Sequence, residues 1–198
     1  MPTIRSFIAI ELTSEVLDVL NRAQATLRQG PGGQAGRWVK EEGIHLTLKF
    51  LGDVPTERLE EIYQAVSRAC QAYGLFELIV AGLGCFPNLR RPRVVWVGLR
   101  EETGQLAALQ KTVERELGRL GFPPEERGFT PHLTLARVRQ GASRTEIEAL
   151  GKAVAEAPLG ELARMRVTAV SVMKSDLKPS GAVHSELYRA PLSAEERG

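Results

Sequence analysis

Apolar residues recur along the chain with two distinct periods, which predict short strands separated by amphipathic helices. Alternating or short continuous apolar runs predict strands at residues 4–12, 44–51, 76–83, 94–99, 132–138, 165–174 and 183–190. Helical periodicity is found between them, at residues 14–28, 57–73, 103–120 and 144–157. Ser143, followed three residues later by Glu146, forms a capping box that marks the start of the last helix.

Strands and helices alternate in this pattern without a regular strand-helix-strand repeat. We therefore predict an α+β fold with mixed or antiparallel sheets rather than a parallel doubly wound sheet. Two stretches interrupt the periodicity and are predicted to be loops, at residues 29–36 (QGPGGQAG) and 87–93 (PNLRRPR). The first lacks the lysine and serine or threonine of a phosphate-binding loop, and we interpret it as a flexible connection. The second holds Arg90, Arg91 and Arg93, which we interpret as a solvated turn, with contact to an RNA backbone as the alternative.

The tetrapeptide HLTL occurs twice, starting at His45 and again at His132, in a chain that has 3 histidines. Because successive side chains in a strand point to opposite faces, His45, Thr47 and Lys49 are predicted to share one face. The two leucines and Phe50 are predicted to share the other face and to pack into the core. The second copy repeats this arrangement, so the sequence predicts two imidazoles and two hydroxyl groups on two equivalent strands.

Two histidines and two threonines arranged in this way suit the cleavage of a phosphodiester. An imidazole, whose pKa is ordinarily about 6.5, can serve as a general base on one side of the substrate and as a general acid on the other. Threonine hydroxyls two residues further along can donate hydrogen bonds to the phosphate oxygens. No metal is needed for this reaction. Two distant histidines without nearby cysteines or paired carboxylates do not form a zinc-binding pattern, and the G-x-S-x-G motif of serine hydrolases is absent from the sequence.

The bulk composition is that of an ordinary globular protein and places little constraint on function. The chain has 198 residues, 43% of them hydrophobic and 25% charged, so a substantial core fits in a single unit. A net charge of +2 is too small to predict nucleic-acid binding by overall electrostatics, and any preference for anions is expected to be local. Cys70 and Cys85 follow no metal-ligand spacing and are interpreted as structural thiols. The N-terminal segment shows neither a signal-peptide pattern nor a membrane-length apolar stretch, so a cytoplasmic location without a membrane partner is expected.

The two motifs and their flanking residues resemble those of the 2H phosphoesterases. The first copy lies within WVKEEGIHLTLKFLGDVP and the second within FTPHLTLARV. Within that superfamily, the sequence is similar to the bacterial and archaeal RNA 2′,3′-cyclic phosphodiesterases, also called 2′-5′ RNA ligases. The likeness covers nearly the whole chain, including the opening RSFIAIEL and the stretch GLGCFPNLRRPRVVWVGL.

The resemblance implies a bilobal α+β fold with pseudo-twofold symmetry. Residues 1–198 would form one domain, and each lobe would carry one motif at a central cleft. The resemblance also implies hydrolysis of RNA 2′,3′-cyclic phosphate ends to 2′-phosphates without a metal or nucleotide cofactor, and with possible reversible 2′-5′ RNA ligation. RNA ends, for example those of tRNA fragments, are the expected partners, and the protein is expected to be a monomer.

By the same resemblance, His45 and His132 are the catalytic pair, and Thr47 and Thr134 hold the phosphate oxygens. His45 is favoured as the acid that protonates the 3′ leaving oxygen, and His132 as the base for water. Arg137 matches an arginine that the family has after its second motif and is a candidate phosphate contact. Strict alternation, however, places Arg137 on the face opposite His132, so a bulge would be needed to turn it into the cleft.

The sequence leaves two further residues and two alternative functions to consider. Trp38 is a candidate for stacking on a base, and a purely structural tryptophan is the alternative. His184 has no threonine two residues later, and we interpret it as an exposed or edge-strand histidine. The alternative functions are a 2H enzyme acting on a small cyclic nucleotide or ADP-ribose cyclic phosphate, and an RNA-end binding module with little turnover. Two proton-transfer groups argue against the binding module, because binding alone does not require them.

Overall fold

The computed structural model of the protein describes residues 2–157, 160–178 and 181–193. These residues form nine β-strands and four α-helices, joined by short 3-10 turns and loops. The strands are β1 (Thr3–Ile10), β2 (Gly36–Trp38), β3 (Leu46–Pro55), β4 (Phe76–Phe86), β5 (Val94–Arg100), β6 (His132–Val138), β7 (Glu161–Val167), β8 (Ala169–Lys178) and β9 (Gly181–Pro191). The helices are α1 (Ser14–Gln29), α2 (Leu59–Gln71), α3 (Gln105–Gly118) and α4 (Arg144–Glu156).

The strands form two sheets, and each sheet contains one of the two motif strands. Sheet A has the strand order β3-β1-β8-β9, and sheet B has the order β2-β6-β5-β4-β7. All paired strands in both sheets are antiparallel. The predicted α+β fold with antiparallel sheets is therefore confirmed. The sheets do not correspond to the two halves of the sequence, because the hairpin of β8 and β9 pairs with β1.

Helices cover one face of each sheet and leave the other face open. Helices α2 and α3 pack on sheet A, and α1 and α4 pack on sheet B. The side chains between helices and sheets form one continuous hydrophobic core, to which Ile8, Leu46, Val95 and Leu133 contribute buried side chains from both sheets. No helix within the described residues is both long and apolar enough to cross a bilayer.

Local sequence signals explain several features of these elements. Thr13 caps α1 with its hydroxyl group, and Ser143 and Glu146 form the predicted capping box at the start of α4. Cys70 and Cys85 are free and buried, and burial raises the pKa of their thiols to about 12 and about 11. Such thiols are protonated at neutral pH, which agrees with a structural role.

The motif strand β3 contains a β-bulge at Leu48, the last residue of its HLTL tetrapeptide. In the pairing of β3 with β1, Thr47 lies opposite Ala9 and Lys49 lies opposite Ile8, which leaves Leu48 as the extra residue. The bulge reverses the alternation of side chains after this point. Lys49 therefore points towards the helices instead of sharing the open face with Thr47, and this part of the predicted strand pattern was wrong.

The motif strand β6 contains a bulge at the equivalent residue, Leu135. Thr134 lies opposite Trp96 of β5, whereas Ala136 lies opposite Val95, which leaves Leu135 without a partner. The side chains that follow Leu135 are again shifted to the other face. The duplication seen in the sequence thus includes a matching irregularity in the backbone.

A buried glutamine from a helix satisfies the backbone carbonyl at each bulge. Nε2 of Gln110 in α3 donates to the carbonyl oxygen of Leu48 over 3.3 Å. Nε2 of Gln24 in α1 donates to the carbonyl oxygen of Leu135 over 2.8 Å, and to that of Val39 over 2.9 Å. Because an unpaired buried carbonyl is unfavourable, these amides stabilise the bulged form of both motif strands.

The structure differs from the predicted elements in two further places. The predicted strand at residues 165–174 is divided at Thr168 into β7 and β8, which belong to different sheets. The glycine-rich stretch at residues 29–36 is also not a flexible connection. Gly32 has a φ of 76°, and a Cβ there would lie 2.3 Å from the backbone nitrogen of Leu150 in α4. This stretch is held against α4 so closely that a glycine is required.

Candidate active site

His45 lies immediately before β3, at one end of the open face of sheet A. Its ring stacks on that of Phe7 from β1, with ring centroids 4.6 Å apart. The ring of His184 meets it edge to face at 5.1 Å. Burial of the imidazole, together with the proximity of His184, lowers the pKa of His45 to about 4. His45 is therefore neutral at pH 7 in the free protein.

His184 is a site residue that the sequence did not reveal. It lies on β9, an edge strand as expected, opposite Ser175 of β8. Its ring meets Phe7 edge to face at 5.0 Å, and its Nδ1 atom is buried without a hydrogen-bond partner in the described part of the chain. Burial also lowers the pKa of His184. Only the scarcity of histidines in this chain pointed towards it, because it belongs to no motif.

His132 begins β6 on the open face of sheet B. Its Nδ1 atom lies 2.7 Å from the carbonyl oxygen of Thr130. Since a carbonyl oxygen only accepts hydrogen bonds, Nδ1 carries the proton and donates it, and Nε2 of the neutral ring keeps a free lone pair. The ring also meets that of Phe86 edge to face, with centroids 4.9 Å apart. These contacts fix both the orientation and the tautomer of the imidazole.

The two threonines follow their histidines onto the open faces. Thr47 lies opposite Ala9 in sheet A, and Thr134 lies opposite Trp96 in sheet B. Neither hydroxyl group makes a hydrogen bond within the described residues, so both are free to bind a ligand. Strands β3 and β6 approach each other to within 8 Å between Cα atoms. The structure thus brings the two predicted His-Thr pairs to neighbouring strands of the two sheets.

Arg137 reaches the same face as Thr134 because of the bulge at Leu135. It lies opposite Val94 of β5, two positions before Trp96, and its side chain is exposed. Strict alternation places Arg137 on the opposite face unless a bulge intervenes, and the structure contains that bulge. Arg137 is therefore available as a phosphate contact.

Phe50 is exposed on the open face of sheet A, where the sequence pattern predicted a core residue. The bulge places it opposite Phe7, with ring centroids 6.1 Å apart, and 59% of its surface is accessible. Lys49 takes the buried position instead. Its Nζ atom donates to Glu114 of α3 over 2.6 Å and to the carbonyl oxygen of Pro123 over 2.7 Å. Lys49 is thus a structural residue rather than a cleft residue.

Trp38 lies on the helix-covered face of sheet B, and this placement corrects its candidate role in base stacking. It pairs with Ala136, whose side chain is buried on the face opposite His132. Its Nε1 atom donates to the carbonyl oxygen of Gly33 over 3.0 Å. The ring lines a groove beside α1, away from the two motifs. The structural interpretation of Trp38 therefore applies.

Trp96 and Phe86 are aromatic residues of the open face that were not among the predicted site residues. Their ring centroids are 5.2 Å apart, next to Thr134 and His132. Nε1 of Trp96 is buried and has no hydrogen-bond partner among the described residues. Gly84 lies opposite Trp96, and a Cβ there would come within 2.2 Å of the indole ring. The alternation in VVWVGL was the signal for Trp96, since the flanking valines face the core.

Within the described residues, no three histidine, cysteine, aspartate or glutamate side chains are grouped in a way that would hold a metal ion. Two bulged strands that present His-x-Thr pairs on the open faces of two antiparallel sheets define a 2H phosphoesterase. The chain belongs to the LigT-like phosphoesterase family, whose sequence model matches residues 10–96 and again residues 97–184. Each match contains one motif, in agreement with an internal duplication.

Individual relatives match nearly the whole chain. The RNA 2′,3′-cyclic phosphodiesterase of Methanothermobacter thermautotrophicus is 35% identical over 184 residues, which cover 93% of this chain and 96% of that protein. The crystal structure of TT0787 of Thermus thermophilus has a TM-score of 0.79 at 28% identity, covering 98% of this chain and 100% of the other. The crystal structure of E. coli LigT complexed with 3′-AMP has a TM-score of 0.76 at 27% identity, covering 97% and 99% of the two chains.

Proposed function

We propose that this protein hydrolyses 2′,3′-cyclic phosphate ends of RNA to 2′-phosphates. The observation that carries the proposal is the presence of two His-Thr pairs, His45 with Thr47 and His132 with Thr134, on neighbouring strands of the two sheets. The relative from Methanothermobacter thermautotrophicus, which is 35% identical, is named for the same activity. The family match over both halves of the chain supports the same reaction class.

In the proposed reaction, His132 is the general base and His45 is the general acid. Nε2 of His132, the ring nitrogen that Thr130 does not engage, removes a proton from a water molecule. The water oxygen attacks phosphorus, the bond between phosphorus and the 3′ oxygen breaks, and His45 delivers a proton to that oxygen. The product carries a 2′-phosphomonoester and a free 3′-hydroxyl group. Both protons are transferred by side chains, so the step balances without a metal ion.

The threonines and Arg137 bind the phosphate during this reaction. The hydroxyl groups of Thr47 and Thr134 donate to the non-bridging oxygens from opposite sides, because one lies on each sheet. The guanidinium of Arg137 adds a charge-assisted hydrogen bond as negative charge develops on these oxygens. Phe50, which is exposed on the open face, takes the place of Trp38 as the aromatic side chain available to the terminal base.

Substrate binding supplies the condition under which His45 acts as an acid. In the free protein its pKa is about 4, so the ring is neutral at pH 7. A cyclic phosphodiester carries one negative charge, and an anion next to an imidazole raises the pKa of that imidazole. Proton uptake by His45 is therefore coupled to substrate binding. Because of this coupling, His45 does not carry an unpaired buried charge when the cleft is empty.

The same groups support 2′-5′ ligation when an RNA 5′-hydroxyl replaces water. His132 then removes the proton of that hydroxyl, its oxygen attacks phosphorus, and the 3′ oxygen leaves with a proton from His45. The product is a 2′-5′ phosphodiester, and no nucleotide cofactor is consumed. Hydrolysis dominates in dilute solution because water is far more concentrated than any RNA end.

The protein acts in this proposal as a monomer in the cytoplasm, on RNA ends such as those of tRNA fragments. The two sheets work as one bilobal domain with one His-Thr pair on each. Their continuous hydrophobic core supports a single domain, since separate domains would each bury a core of their own.

The test is incubation of an RNA oligonucleotide ending in a 2′,3′-cyclic phosphate with wild-type protein, His45→Ala and His132→Ala, in the presence of EDTA. We expect wild type to open the ring to a 2′-phosphate despite the chelator, and each variant to be slower by about 10²- to 10⁴-fold. Circular dichroism confirms that the variants are folded. Cleavage of a cyclic mononucleotide without cleavage of the oligonucleotide would show that the substrate is a small cyclic nucleotide and not RNA. Binding of the oligonucleotide without turnover would instead support the RNA-end binding module.

A further inference from the structure

Two arginines lie directly opposite each other at the edge of sheet B. Arg37 of β2 pairs with Arg137 of β6, so both side chains project from the same face of the sheet. Both are exposed, and neither guanidinium forms an ion pair or a hydrogen bond with any described residue. Like charges in directly opposite positions of a sheet repel each other. A bound anion would remove this repulsion.

The face that carries the two arginines is the face that carries His132 and Thr134. Arg137 follows Thr134 by three residues on β6, a distance of at most about 10 Å along a strand. Its long side chain spans most of this distance, whereas Arg37 lies one strand further out, about 5 Å from Arg137. The pair therefore extends from the proposed cyclic-phosphate site towards the edge of the sheet. An RNA chain that leaves the site in this direction would place its next phosphate beside the two arginines.

The guanidinium of Arg37 lies where the two sheets approach each other. A Cβ on Gly181, the first residue of β9, would be 3.5 Å from Nη2 of Arg37. Arg37 belongs to sheet B and Gly181 to the hairpin of sheet A. Arg37 thus lies at one end of the cleft, next to the β8–β9 hairpin. His184, which contacts His45, is three residues further along the same strand.

The other end of the open face of sheet A has the opposite charge. There, Arg189 of β9 donates to the carboxylates of both Glu11 and Glu186, over 2.5 and 2.9 Å. Ser171 donates to Glu186 as well. Two carboxylates share one guanidinium, so this end carries an excess of negative charge. An anionic chain would be repelled from it and attracted to Arg37 and Arg137.

We propose that Arg37, together with Arg137, binds the phosphate that precedes the terminal nucleotide of the RNA, and that the RNA leaves the cleft under the β8–β9 hairpin. The inference rests on the proposed function and names the part of the substrate that distinguishes an RNA chain from a cyclic mononucleotide. Arg137 is shared between the two phosphates, whereas Arg37 is reserved for the second one. Arg37 thus determines specificity for RNA. The overall composition of the chain does not indicate such a preference.

The test compares two substrates, a cyclic mononucleotide and an oligonucleotide of several residues ending in the same 2′,3′-cyclic phosphate. The quantity measured is the ratio of their kcat/KM values, for wild type, Arg37→Ala, Arg37→Lys and Arg22→Ala. We expect Arg37→Ala to lower the preference for the oligonucleotide about tenfold, through a higher KM for that substrate, and Arg37→Lys to restore most of it. The salt dependence of oligonucleotide binding should also weaken, by about 0.7 in the slope of log K against log salt concentration. Arg22→Ala, which changes an exposed arginine on α1, is the matched control and should leave the ratio unchanged.

The outcomes separate this inference from the proposed function. If wild type cleaves both substrates but Arg37→Ala affects them equally or not at all, the second phosphate site is refuted and the cyclic phosphodiesterase remains. If Arg22→Ala lowers the ratio as much as Arg37→Ala does, the effect comes from net charge and the site is likewise refuted. If wild type cleaves neither substrate, the proposed function itself fails.

Discussion

His45 and His184 meet edge to face, with their ring centroids 5.1 Å apart, although they are separated by most of the sequence. Both rings also contact Phe7, so the three form a cluster on the open face of sheet A. Two imidazoles at this distance, in a largely apolar setting, are not readily protonated together. His184 therefore influences when His45 carries a proton. The general acid of the proposed reaction depends on a residue outside both motifs.

Replacement of His184 by glutamine is expected to raise the pKa of His45. Wild-type His45 stays neutral until the pH falls towards 4, because burial and then His184 oppose its protonation. The variant removes a neighbour that becomes positive as the pH falls, so His45 should take up its proton at a higher pH. Burial still acts, and the pKa should remain below the ordinary value. The titration is followed by NMR of the imidazole carbon-bound protons.

The small number of histidines makes this titration simple to assign, with His45→Ala identifying the signal. Ser185→Ala is the matched control, because Ser185 is an exposed neighbour of His184 on β9 and should leave the titration of His45 unchanged. If the titration of His45 has the same midpoint in wild type and in His184→Gln, burial alone lowers the pKa of His45.

Replacement of Gln24 by leucine is expected to destabilise the protein and to weaken phosphate binding. The change leaves the carbonyl oxygen of Val39 without its partner, at a cost of about 2 kcal/mol in the free energy of unfolding, whereas the carbonyl oxygen of Leu135 keeps only the bond from the backbone N–H of Val39. The bulge at Leu135 loses its support at the same time. Because this bulge turns Arg137 into the cleft, KM for a cyclic phosphate substrate should rise more than kcat falls. Urea unfolding and steady-state kinetics measure the two effects.

Gln64→Leu is the matched control for this substitution. Gln64 lies on α2 and donates to Glu60 in an exposed position, so the control should change stability by less than about 0.5 kcal/mol and leave KM unchanged. A Gln24→Leu protein that is destabilised but keeps the wild-type KM would show that Gln24 does not determine the position of Arg137.

Replacement of Lys49 by methionine is expected to affect stability. Lys49 is 1% exposed and forms an ion pair with Glu114, and its removal leaves that carboxylate largely buried without a counter-charge. Loss of one partner from such a pair lowers the free energy of unfolding by about 3 kcal/mol. Lys152→Met is the control, since its ion pair with Glu156 is exposed and contributes less than about 1 kcal/mol. A stable Lys49→Met protein with a raised KM for phosphate would show that Lys49 works in the cleft, as strict alternation predicts.

The sequence contained enough information to predict the main elements, the antiparallel α+β fold and the two His-Thr pairs. Periodicity located every helix, and the repeated tetrapeptide identified His45 and His132 as a pair. These features depend on residues that lie close together in sequence. For this reason they can be recognised without knowledge of tertiary contacts.

Apart from Trp96, whose position follows from local alternation, the features that were missed depend on contacts between distant segments. The bulge at Leu48 places Lys49 in the core and Phe50 in the open, and it is supported by Gln110 from another element. The proximity of His184 to His45 results from the strand order of sheet A, in which β9 and β3 are the two edges of a curved sheet. A one-dimensional pattern with a period of two does not record an extra residue or the curvature of a sheet.

Phe50 and Arg137 occupy the same position after the bulge in two otherwise matching strands. A cyclic phosphate has two nearly equivalent ester oxygens in its ring, and a fully symmetric pair of strands would bind it in two orientations related by a half turn. With an aromatic ring on one side and a cation on the other, only one orientation places the RNA chain beside the arginine. In the proposed reaction, this difference between Phe50 and Arg137 selects which ester bond faces the acid, and with it which phosphate isomer is released.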